Sequence, residues 1–378
     1  MGARLTSGGS IDSGFEGSHP PVPYIRRQLP FALILGSVLF PTLPLTWLGL
    51  QFMGTGPGGA AATWTHQLYV AVFNITHFTI TFTIYFQVVN IRYFGASWKN
   101  RLVYYGVPAF AFVGLALFNA LDVGAAAPAF GLFVLLAIRM FDFFHYGRQA
   151  FGVLQLAKGS AARALPPWSR TAENGFFMAV TALLFMTFIS PGFVFDPSNA
   201  ATRLLLVLGG SLLAAIGWAW GAAWRASGRT LPIGHAVAYL AASLVSSAIG
   251  IYYTGLYATL AIHYVEYHVL MAPRCFSQPL DPSATPDRWF ARLRANPAVF
   301  YGLLLGTGAT WLALHRWALV MPTDATMGTR LVVHSLDGLF VTHYFLDMFI
   351  WKFSVPHYRS TIGPLYFPRP APIAGAAA

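Results

Sequence analysis

Ala261–Met271, AIHYVEYHVLM, places His263, Glu266 and His268 within six residues of an otherwise apolar run. Ionisable groups at the centre of a bilayer cost roughly 2.5–3.5 kcal/mol each on insertion scales, so a chain that keeps three has a use for them. Imidazole nitrogens bind zinc, iron and copper, and imidazole with carboxylate suits iron. Three other apolar runs carry the same chemistry. One holds Asn74 and His77, flanked by Thr76 and Thr79. A second, RMFDFFHYGRQAFGVLQL, spaces Asp142, His145, Gln149 and Gly152 along one helical stripe, with Arg139 a turn above. In the third, His343 and Asp347 stand i,i+4, where a carboxylate can orient a metal-binding imidazole.

Spacing limits what any one segment can do alone. On an ideal helix His263 and His268 point about 140° apart and Glu266 lies about 60° from His263, unlike the two-histidine face of an HExxH helix. His66 and His77 share a direction but stand about 16 Å apart along the axis, too far to share an ion. His334 and Asp337 repeat the His–Asp pairing at i,i+3, on the opposite side of a straight helix from His343, and Gly338 offers a place to bend. A metal centre therefore needs ligands from several segments.

The elements that must position these residues are membrane helices. The chain has 378 residues, 56% hydrophobic and 9% charged, against about 25% charged in soluble domains. We count ten apolar runs long enough to cross a bilayer: 29–52, 64–91, 102–121, 128–156, 174–194, 203–224, 232–254, 256–273, 298–319 and 330–352. The division of the seventh from the eighth, near Gly250 and Gly255, is open. With the N-terminus inside and strict alternation, 19 of the 23 Lys and Arg fall on the inner side and 3 on the outer, with Arg139 in a segment. That bias predicts cytoplasmic N- and C-termini. The expected fold is an all-α polytopic integral membrane helix bundle of about ten transmembrane helices. A disordered cytoplasmic tail (1–28), one transmembrane domain (29–353) and a cytoplasmic C-terminal tail (354–378) follow, with no cleavable leader. The bacterial inner (cytoplasmic) membrane is the expected location.

The net charge of +11 is spread over short inter-segment clusters, not gathered in a patch for nucleic acid. The single Cys275 excludes an internal disulfide and a thiolate cluster; its place just past an apolar run admits palmitoylation. Trp47, Trp64, Tyr104, Trp168, Trp218, Trp220 and Trp317 read as interfacial belts. In the longest inner loop, about 274–297, the RWFARLRANP portion (288–297) reads as lying amphipathically on the membrane surface.

Measured from the nearest inner basic anchor, His77, His145, His263 and His343 lie about 13–22 Å deep and His268 about 9 Å. His235, at the inner start of the seventh segment, is a further candidate. This agreement of depth across four segments predicts a shared intramembrane site. His77, His145, His263, His268 and His343 are its candidate metal ligands. Asp142 and Asp347 are orienters or additional ligands, and Glu266 is a ligand or proton carrier. The expected occupant is iron, as one or two ions, with zinc, copper or haem as alternatives.

On THF at 76–78, HYVEYH at 263–268 and HYFLD at 343–347, the chain is similar at class level to integral-membrane histidine–iron proteins. These include lipid desaturases and hydroxylases and polytopic carotenoid-cleaving oxygenases; the HxxHH boxes of the desaturases are absent. The likeness implies oxidation of a lipophilic small molecule within the bilayer. With no Rossmann or P-loop fingerprint, a reductant would come from a separate redox partner. The competing expectations are a haem protein, a proton-coupled transporter with Asp142, His145, Glu266 and Asp347 as its relay, and a structural protein whose polar residues hold helices together.

Overall fold

The computed structural model describes residues 33, 35–39, 67–190, 198–252, 257–276 and 281–366. Most of the first expected segment, His66, the tail 1–28, residues 253–256, on which the division of the seventh segment from the eighth turns, and the chain beyond 366 lie outside the described residues. Among the described residues the chain is helical, with no strand. Among the described residues six helices are long and apolar enough to cross a membrane, as expected of a multi-pass membrane protein. They are α1 (Gln67–Phe86), α3 (Trp98–Ala120), α4 (Pro128–Arg163), α5 (Pro167–Ile189), α6 (Ala200–Ala226) and α10 (Pro297–Val320). Between or after them come α2 (Val88–Gly95), α7 (Gly234–Tyr252), α8 (Tyr257–Phe276), α9 (Thr285–Arg294), α11 (Met327–Val333), α12 (Leu339–Ile350) and α13 (Pro356–Thr361).

Outward faces are apolar, as lipid contact requires: Phe110 on α3 is 80% exposed and Val207 on α6 is 67% exposed. Inward, α1 packs on α8, α10 and α12, while α4 packs on α5, α7, α8 and α12. Helices α1, α12, α4 and α8 thus form a closed ring of neighbours. Small residues permit the close crossings. A side chain at Gly308 of α10 would run into the backbone of Ala71 on α1, and one at Gly338 into the backbone of Phe112 on α3.

Three expected segments differ in shape. The second does not run to 91: it ends at Phe86, and Gln87 is extended (φ −108°, ψ 120°) before α2 begins. Asp287 of α9 holds that break, its Oδ1 accepting from the Val88 amide at 2.9 Å. The tenth, 330–352, is interrupted between Val333 and Leu339, where Gly338 is pressed on α3. The eighth runs past 273, so that Arg274 lies inside α8 and is fully buried instead of anchoring a loop. Helix α9 forms as expected, with Phe290 buried and Trp289 half exposed.

Two of the expected belt residues part company. Trp218 is 65% exposed and stacks on Trp168 at 5.8 Å, whereas Trp220 is 3% exposed and points into the bundle. Residues two positions apart on a helix point about 160° from each other, so the two lie on nearly opposite faces.

Candidate metal centre

The four ring-forming helices each deliver one histidine to a common point: His77 from α1, His343 from α12, His145 from α4 and His263 from α8. All four are buried. Their ring centres form a closed quadrilateral with sides of 4.3 Å (His77–His343), 5.0 Å (His343–His145), 4.9 Å (His145–His263) and 4.7 Å (His263–His77). The His77–His145 diagonal is 6.3 Å. Imidazoles bound to one ion through nitrogens about 2.1 Å away have centres about 4.5 Å apart when adjacent and about 6.4 Å apart when opposite. The observed sides and diagonal match that pattern.

Donor atoms converge as the rings do. Single nitrogens of His77, His145 and His263 lie within 4.8 Å of one another, and so do donors of His145, His343 and Asp347. His145 belongs to both groups. Asp347 Oδ2 is 3.4 Å from His145 Nε2 and 3.9 Å from His343 Nε2.

A hydrogen-bond chain sets the tautomer of His343. Tyr267 donates its hydroxyl to Asp347 Oδ1 at 2.5 Å. The Thr81 hydroxyl, 2.8 Å away, must then donate to the Tyr267 oxygen, leaving its own oxygen to accept from His343 Nδ1 at 2.7 Å. With the proton on Nδ1, the lone pair of His343 is on Nε2 and faces His145 Nε2 at 3.3 Å. Such outer partners fix ligand orientation in metal sites.

The remaining valences of the ring are open. Both nitrogens of His77, both of His263, and Asp347 Oδ2 have no hydrogen-bond partner among the described residues. An unsatisfied buried polar group costs about 1–3 kcal/mol, and native interiors rarely leave several side by side. Lone pairs converging from three sides on one cation would remove much of that cost. The residues present could hold a metal ion in either of two overlapping groups, His77 with His145 and His263, or His145 with His343 and Asp347.

Other expected site residues lie apart from both donor groups. His268 Nε2 meets Thr76 Oγ1 at 3.1 Å, and its ring sits 5.8 Å from Tyr301. Glu266 is used up on the far side of α8: Tyr239 donates to its Oε1 at 2.7 Å and Gln149 to its Oε2 at 3.0 Å. Asp142 Oδ2 lies 3.5 Å from Arg139, the pairing expected of a helix-bracing role. His235 is exposed at the start of α7. His334 bonds Asp337 at 2.8 Å in the interruption before α12, as its spacing suggested, and Asn119 donates to the same carboxylate. Cys275 is fully buried.

Thr81 and Tyr267 were not singled out from the sequence. A signal existed: each stands four residues after a ring histidine, His77 and His263, and so on the same helix face. No protein-family model, curated protein or solved structure matches the chain, so its function rests on this geometry.

Proposed function

We propose that the protein is a membrane-embedded metalloenzyme that oxidises a lipophilic molecule at the centre formed by His77, His145, His263, His343 and Asp347. The observation that carries this is the closed four-histidine ring with unpartnered buried nitrogens. Iron is the favoured ion because the set is all imidazole and carboxylate, with no thiolate. Bound there, iron would supply redox chemistry and a binding position for oxygen; the reductant would come from a separate redox partner. The chain's own residues orient and shield. Thr81, Tyr267 and Asp347 hold His343 in one tautomer, and Phe78, Tyr264 and Tyr344 pack around the ring and keep water out.

Haem fits less well. Two axial histidines of a haem need an open disc between them, and here the flanks of each opposing pair are filled by the other two histidines. A relay through Glu266 is disfavoured by the hydrogen bonds that already engage both its oxygens. The reading extends to topology: ten crossings, with both termini cytoplasmic in a bacterial inner membrane, supported by the 19-to-3 division of basic residues.

The test is elemental analysis and visible spectroscopy of protein purified in detergent. One iron per chain without a Soret band is expected, two irons would assign separate ions to the two donor groups, and a metal-free chain would sink the proposal. His263→Ala and His343→Ala should each lose the metal.

A further inference from the structure

Arg274, at the inner end of α8, is completely buried, and Nε, Nη1 and Nη2 have no hydrogen-bond partner among the described residues. Guanidinium stays charged at any pH a protein meets, so it cannot escape the cost of burial by losing its proton. The other buried cation among the described residues, Lys158, has its acid: Glu173 lies 2.5 Å away. Arg274 has none. Glu173 and Glu266 are held by other donors, and Asp287 by the amides of Val88 and Asp281; Asp347, held through Oδ1 by Tyr267, feels the charge of Arg274 without lying at ion-pair distance from it. What surrounds the guanidinium is aromatic: Trp351 lies under it at 6.0 Å, and Tyr366 packs on Trp351 at 5.8 Å while donating to the Leu270 carbonyl.

An uncompensated buried charge costs several kcal/mol, and the planar fork of arginine matches the two oxygens of a carboxylate or phosphate. We propose that Arg274 anchors an oxyanion-binding site that takes the carboxylate or phosphate end of a lipophilic molecule. The site stands independently of the metal reading. Joined to it, the site gives a specificity device. Arg274 is eleven residues along α8 from His263, about 16 Å, and Trp351 is eight residues from His343, about 12 Å. A molecule with its head at Arg274 would run its tail toward the histidine ring. That distance would choose which position of the chain is presented there.

The test uses the full-length chain, stripped of lipid in neutral detergent, with thermal unfolding followed against added oleate, dioleoyl phosphatidic acid, oleyl alcohol and inorganic phosphate. Oleate or phosphatidic acid should raise the unfolding temperature saturably, and oleyl alcohol should not. The shift should vanish in Arg274→Gln and shrink in Arg274→Lys, which keeps the charge but loses the fork. A full shift with inorganic phosphate alone would support the oxyanion site and assign it to a free anion. No Arg274-dependent shift with any of these overturns the proposal. Should Arg274→Gln fail to fold, Arg274→Lys decides, because an undiminished oleate shift there also overturns it. Metal content measured on the same samples keeps the two readings separate: a metal-free protein with an intact oleate shift sinks only the metal centre.

Discussion

Two buried polar clusters share helix α4, and they are built to opposite rules. Toward its C-terminal end, Lys158 Nζ meets Glu173 Oε2 at 2.5 Å, Gln155 donates to the same oxygen at 2.9 Å, and Trp220 donates to Oε1 at 2.9 Å. Charges balance, both carboxylate oxygens are engaged, and α4, α5 and α6 are tied together. Midway along the same helix, His145 enters a ring where four nitrogens and a carboxylate oxygen have no hydrogen-bond partner among the described residues. The first cluster is complete as it stands, and a complete network braces. The second is open, and its converging donor atoms are grouped so that they could hold a cation. Polarity alone does not distinguish a site from a brace; satisfaction does.

The contrast can be broken by experiment. Glu173→Ala should be the most damaging change, costing about 3–5 kcal/mol by stranding Lys158 in the bundle. Thermal unfolding in detergent should show it, while metal per folded chain stays at the wild-type level. A loss of metal with unchanged stability would reverse the roles assigned to the two clusters. Next comes Thr81→Val, which removes the partner of His343 Nδ1 but keeps the shape. Metal affinity should fall about 10–100-fold with little change in unfolding temperature. Equal metal affinity would remove the Thr81–Tyr267–Asp347 chain from the centre. Smallest is His268→Ala, expected to change metal affinity by less than about threefold because His268 lies outside both donor groups. A loss as deep as that of His263→Ala would bring it into the ring.

How much of this was legible beforehand varies with the physics involved. Apolar length and charge placement are local properties, so α3 to α8 and α10 lie close to the expected spans, while the second span breaks at Gln87. Depth is also local, and it pointed to His77, His145, His263 and His343 together. Direction is not. His263 and His268 differ by about 140° on one helix, and only the packing of α8 between α1 and α4 turns the first inward and the second toward Tyr301. The same rotation carries Glu266 to Tyr239 on α7, away from the ring. Trp218 and Trp220 repeat the lesson, one in lipid and one on Glu173. Arg274 inverts it: basic residues after an apolar run usually mark a loop, yet α8 continues and encloses this one.

By itself, then, the sequence determined that this is a helical membrane protein and that four apolar segments carry histidine to a common depth, because hydropathy and rise per residue are properties of single helices. Which histidines meet, which carboxylates are spent elsewhere, and which cation is left without a partner were decided only by the tertiary structure. Rotation about a helix axis is set by neighbours far away in the chain, and the rotation selects the partners.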